Sequence, residues 1–136
     1  AVDGAYELYK DKGITKVVGL ESRGFILGAA LAYRLHAGFS VIRKKGKLPF
    51  STYSETYMKE YGPDTIEMQT DAISKDDVVL LHDDLLATGG SASAALRLLS
   101  RFSPAKVYVN FLVELEDLSG RAALPSGVEV TSLLKL

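Results

Sequence analysis

Apolar and polar positions recur along this chain with two different periods, and the period changes where glycines and prolines fall. Val2, Tyr6 and Tyr9 sit at helical spacing, so residues 1–12 are predicted as a helix ended by Gly13. Residues 16–20 read as a short buried strand, residues 24–36 as an apolar helix closed by Gly38, and residues 39–42 as a second strand. Residues 65–69 alternate as a strand would, and residues 78–81, Val-Val-Leu-Leu, give the clearest central strand. Gly89-Gly90 leads into a helix over about 91–102. A β-branched strand follows at 105–113, then a short helix at 117–123 and a last strand at 128–134.

Residues 44–64 break this pattern. They are basic at first, then rich in Ser, Thr, Tyr and Glu, with Gly62-Pro63 as a breaker. A stretch of roughly 20 residues is too long for an ordinary connection, so it is read as disordered or as a mobile functional loop. Elsewhere strands alternate with helices. The fold class is therefore α/β: a mostly parallel twisted sheet flanked by helices. Ligands of such sheets bind at the carboxyl ends of strands. Chemistry is sought after Leu20, Ile42 and Leu81.

Composition narrows the picture. The 136 residues fit one domain, taken as 1–136. They open at Ala1 inside a helical pattern without a methionine, so the natural chain is expected to begin earlier. Hydrophobic residues make up 47% and charged residues 24%, which excludes general disorder. Sixteen basic and 17 acidic residues leave a net charge of −1, so nothing draws the whole chain to nucleic acid or an anionic membrane. No apolar run approaches the roughly 20 residues that span a bilayer. The lack of cysteine excludes disulfides, thiolate zinc sites and cysteine nucleophiles, and agrees with a cytoplasmic setting.

The strand at 78–81 runs into His82-Asp83-Asp84-Leu85-Leu86-Ala87-Thr88-Gly89-Gly90-Ser91. The turn from Ala87 to Ser91 has what a phosphate monoester needs. Gly89 and Gly90 let the backbone approach, the helix start offers N–H groups, and Thr88 and Ser91 add hydroxyl donors. Asp83 and Asp84 would repel that phosphate. They suit a neighbouring group with hydroxyls or developing positive charge, and a ribose offers both. The plain alternative is a turn that caps a helix. Glu21-Ser22-Arg23-Gly24 also follows a strand and opens a helix, where Arg23 presents a guanidinium fork to an anion. Arg43, Lys44, Lys45 and Lys47 form the densest basic run, with Lys44 and Lys47 taken as anion contacts. Tyr53, Tyr57 and Tyr61, spaced by four, are compatible with one face of a helical turn. His82 is read as a packing residue, His36 as a helix-end residue, and Gly24 with Gly28 as a helix–sheet contact. No phosphate-binding Gly-x-x-x-x-Gly-Lys-Ser/Thr motif occurs, and no His, Asp or Glu cluster has metal-ligand spacing.

Asp83-Asp84-Leu85-Leu86-Ala87-Thr88-Gly89-Gly90 resembles the phosphoribosyl-pyrophosphate (PRPP) motif of the type I phosphoribosyltransferases. Its wording is that of the adenine-using branch. Gly19 to Phe25 resembles the family's pyrophosphate loop, and Ile42 to Pro49 its basic stretch before the mobile loop. Leu112-Val113-Glu114-Leu115 with Gly120-Arg121 resembles its base-site strand and the following helix. The resemblance implies transfer of 5-phosphoribose from PRPP to adenine, giving AMP and pyrophosphate through an oxocarbenium-like transition state. It implies Mg²⁺ carried mainly by the pyrophosphate, a homodimer, and a cis peptide between Glu21 and Ser22. It makes Ser22 and Arg23 pyrophosphate contacts, Glu60 of Glu60-Tyr61-Gly62 the group that manages the purine proton, Tyr61 part of the lid, and Leu115 an apolar contact for the base. A different purine base, orotate, and a non-catalytic PRPP-binding regulatory module stand as alternatives.

Overall fold

The computed structural model describes all of residues 1–136. The elements run α1 (Val2–Tyr9), β1 (Lys16–Leu20), α2 (Gly24–Leu35), β2 (Gly38–Lys44), β3 (Thr52–Lys59), β4 (Gly62–Gln69), β5 (Val78–Leu86), α3 (Gly90–Ser100), β6 (Lys106–Glu114) and β7 (Glu129–Lys135). One seven-stranded sheet has the order β3-β4-β2-β1-β5-β6-β7. β2, β1, β5, β6 and β7 are mutually parallel, and the β3–β4 hairpin joins the edge of β2 antiparallel. No helix is long and apolar enough to cross a membrane.

β5 lies in the middle because Val79, Leu80 and Leu81 can be buried on both faces at once. Leu80 and Val17 pack under α1 and α2 with Ala5, Tyr9 and Leu31. Val79, Leu81, Val18, Val109 and Phe111 pack on the opposite face with Leu98 and Leu99 of α3. Tyr9 pins α1 to the far strands, its hydroxyl lying 2.6 Å from Thr131 Oγ1 and 3.2 Å from the Val109 carbonyl.

The segment 44–64, expected to be disordered or a mobile functional loop, contains β3 and the start of β4. Its period is two. Tyr53, Glu55 and Tyr57 are partly buried, and Ser54, Thr56 and Met58 are exposed. The spacing of four shared by the tyrosines fits a strand face as well as a helix face, and a carboxylate on the inner face hid the alternation. Glu55 is satisfied there, because Arg97 Nε and Arg101 Nε of α3 each reach it at 3.0 Å. Tyr53 stacks edge-on against Phe102 with ring centroids 5.2 Å apart. The helix expected at 117–123 is two 3₁₀ turns, Glu116–Leu118 and Gly120–Ala123, split at Ser119 with φ 53°. His36 ends α2 in a left-handed conformation.

Two glycines bring α2 down onto the strands. A Cβ on Gly28 would stand 3.1 Å from Phe39, and a Cβ on Gly24 would stand 2.8 Å from the His82 carbonyl and 3.3 Å from Asp83 Oδ1. Gly24→Val is expected to lift the start of α2 off β5 and to lower stability by about 1–3 kcal/mol. Denaturant unfolding measures that loss. A variant as stable as the parent would show that the contact is not tight.

Candidate active site

The carboxyl ends of β1, β2 and β5 open into a cavity of 250 Å³ whose wall includes Glu21, Arg23, Lys44, Tyr57, Asp83, Asp84, Ala87, Thr88, Gly89 and Ser91. Residues far apart in the chain converge because parallel strands all deliver their ends to the same edge. β5 continues to Leu86, so Asp83 and Asp84 are successive residues of one strand, and both line the cavity. Asp83 Oδ1 accepts the Asp84 backbone N–H at 2.8 Å, and Asp84 Oδ2 lies 3.0 Å from Arg23 Nε.

Burial pushes the Asp83 carboxyl up to about 7, with the neighbouring Asp84 carboxylate acting in the same direction. Beyond the pair, the chain turns at Gly89 (φ 90°) into α3, which has no side-chain cap at its start. The first N–H groups of α3 and the hydroxyls of Thr88 and Ser91 are therefore free to meet an anion.

The cationic side of the cavity is already charge-paired. Glu21 is largely buried and receives Lys47 Nζ, the Lys44 backbone N–H at 2.8 Å and Arg43 Nε at 3.2 Å. Burial would raise its pKa, but these three donors outweigh it and hold the carboxyl below its ordinary value. Lys44 Nζ meets Asp64 of the hairpin, with Lys59 at 3.3 Å from the same oxygen. The Lys44 ammonium keeps the Asp64 carboxyl down at about 2. The peptide between Glu21 and Ser22 is cis.

Not every expected residue lines this cavity. Lys47 reaches it only through Glu21, and Ser22 is exposed beside it. Glu60 sits at the tip of the hairpin, where it shares a second cleft of 500 Å³ with Tyr57, Met58, Thr88, Gly90 and Ser91. Tyr61 is 93% exposed. Leu115 lines neither space, and its N–H donates to the Leu86 carbonyl at 2.9 Å. His82 is buried with Nδ1 3.0 Å from Asn110 Oδ1 and does not line the cavity. Sequence reasoning missed Tyr57 as a cavity residue, Asp64 as the partner of Lys44, and Glu21 as the organiser of the basic run. A carboxylate followed directly by the pyrophosphate-type turn was the available signal for Glu21.

A strand end bearing paired carboxylates, a glycine-rich helix start and a basic opposing wall define a site for a phosphorylated sugar. The chain belongs to the phosphoribosyltransferase family: the model of the phosphoribosyl transferase domain matches residues 3–123. Within that family its relatives are adenine phosphoribosyltransferases. It is 59% identical over 135 residues to the one from Phocaeicola vulgatus, covering 99% of this chain and 78% of that one. The structure of adenine phosphoribosyltransferase from Rhodothermus marinus superposes with a TM-score of 0.94 at 52% identity, over 99% of this chain and 77% of that one. The Giardia lamblia enzyme complexed with 9-deazaadenine gives a TM-score of 0.94 at 42% identity, over 99% and 77% of the two chains.

Asp83 makes a two-sided prediction. Its folded pKa is raised, so the folded state holds a proton that the unfolded chain releases from about pH 4 upward. Stability from this group is greatest below pH 4 and falls as the pH rises to about 7. Asp83→Asn is therefore expected to melt higher than the parent at pH 8 while losing activity. The acidic limb of kcat/KM for the sugar substrate, expected near pH 7 in the parent, should disappear in the variant. A limb unchanged in Asp83→Asn would assign it to another group.

Proposed function

We propose that this site transfers the 5-phosphoribosyl group of PRPP to adenine, forming AMP and releasing pyrophosphate. The observation that carries the reading is the meeting, in one cavity, of Asp83 and Asp84 with the Ala87–Ser91 turn on one side and Arg23 and Lys44 on the other. The turn holds the 5-phosphate through the α3 N–H groups, Thr88 and Ser91. Asp83 and Asp84 accept hydrogen bonds from the ribose diol, and their charge favours the cation that develops at C1. The bond from C1 to pyrophosphate breaks, and adenine N9 bonds to C1. Arg23, Lys44 and Lys47 neutralise the departing oxygens, the lysines exchanging Asp64 and Glu21 for pyrophosphate. Glu60 takes up the purine proton.

Three further assignments belong to this reading. Mg²⁺ suits the site as an ion borne by the ligand. Pyrophosphate oxygens and water would supply most of its ligands. Asp83 and Asp84 are hard oxygen donors at hand for its water shell, and the bound ion would offset part of the pyrophosphate charge. The hairpin acts as the lid: its root is clamped by Glu55 to α3, and its tip, carrying Glu60 and Tyr61, is exposed. Closure would bring Glu60 to a base resting near Leu115 and exclude water. A homodimer is supported by the exposed apolar residues Ile26 (80%) and Tyr33 (83%) on one side of α2, and a cytoplasmic setting by the absence of cysteine.

The test is AMP formation from adenine, PRPP and Mg²⁺, with guanine, hypoxanthine and xanthine in parallel. AMP from adenine alone is the expected result. A nucleotide from another base, or PRPP binding without turnover, would replace this reading with a different base specificity or a regulatory module. Glu60→Gln is expected to lower kcat about a hundredfold with KM for PRPP nearly kept. An unchanged kcat would remove Glu60 from the proton transfer.

A further inference from the structure

We propose that the turn at Gly120 and Arg121 positions the 5-phosphate turn, and that Arg121 fixes it through Glu114. The proposal rests on the reading of Ala87–Ser91 as the phosphate site.

The contact between the two turns is backbone on backbone. A Cβ on Gly120 would overlap the Ala87 carbonyl oxygen and come within 2.8 Å of Leu86 Cδ1. A Cβ on Gly89 would overlap the Gly120 carbonyl and stand 2.9 Å from Ala123 Cβ. The shortest approaches are to backbone oxygens, which cannot swing aside as a flexible side chain can. The start of α3 has no side-chain cap of its own, so this contact is what backs the phosphate turn.

The turn behind it is itself anchored. Arg121 Nε reaches both oxygens of Glu114, at 2.8 and 3.1 Å, and Nη1 donates to the Val130 carbonyl at 2.8 Å. Glu114 is 5% exposed and also accepts the Ser132 hydroxyl at 2.6 Å. Arg121 thus ties the turn to the ends of β6 and β7 with a geometry that a lysine cannot reproduce. A phosphate held by backbone N–H groups tolerates only fractions of an ångström of misplacement. The base side has tethers that do not run through Arg121, since Leu115 N–H bonds to Leu86 and Glu116 N–H bonds to Leu136, each at 2.9 Å. Arg121 is therefore a positioning residue for one half of the substrate.

The test titrates the parent, Arg121→Lys and Arg121→Ala with ribose 5-phosphate and, separately, with pyrophosphate, and measures KM for PRPP and for adenine. Arg121→Ala is expected to weaken ribose 5-phosphate about tenfold and to raise KM for PRPP in step, with pyrophosphate affinity and KM for adenine nearly unchanged. Arg121→Lys should fall between. Equal weakening of all ligands, or weakening of none despite a lower melting temperature, would overturn the positioning role. If Arg121→Ala does not fold, Glu114→Gln keeps the shape, removes the charge and is read by the same titrations. Failure of the parent to bind ribose 5-phosphate would instead sink the phosphate-site reading, and the proposal with it.

Discussion

The site depends on a carboxylate at the cavity end of the buried strand β5. Asp83 continues a strand whose preceding residues are wholly buried, so its charge is expensive there. Gly24 lets the N-terminus of α2 come close enough to face it, and the Asp84 N–H donates to it. These contacts do not cancel the cost of burial, and the carboxyl stays partly protonated near neutrality. In the proposed reaction, a ribose hydroxyl and a developing cation would give it partners that the protein's own groups do not.

The opposite wall follows the complementary rule. Arg23, Lys44 and Lys47, the cations proposed to meet the leaving group, are none of them left unpaired. Asp84, Asp64 and Glu21 occupy them in turn. In the proposed reaction, pyrophosphate would displace carboxylates rather than meet bare cations. That exchange lowers net affinity and makes it selective, because a singly charged ligand has too little to offer against a paired ammonium. Lys44 also holds the hairpin strand β4 through Asp64, so the proposed loading of the cavity and opening of the hairpin would share one ammonium group.

Much of this arrangement is legible in the order of residues. Runs such as Val78 to Leu81 declare a buried central strand, since their burial needs no knowledge of partners. The phosphate turn is legible because its requirements are local: small residues, a helix start and hydroxyls within a few positions. The hairpin is legible only in part: residues 65–69 alternate as a strand, whereas β3 does not read as one. β3 puts Tyr53, Glu55 and Tyr57 on its inner face, and Glu55 becomes tolerable there only because Arg97 and Arg101 of α3 stand opposite. A pattern read from polarity sees a charged residue and expects solvent.

The sequence by itself determined the fold class, the succession of strands and helices in the parallel core, and the residues suited to phosphate and ribose, because each is set by interactions within a few residues or by burial alone. Tertiary structure alone decided which charges pair across the cavity, that Glu21 gathers the basic strand, and that a turn at Gly120 stands behind the phosphate site. Those contacts join residues dozens of positions apart, and their energies depend on distances of a few ångströms that no local pattern encodes.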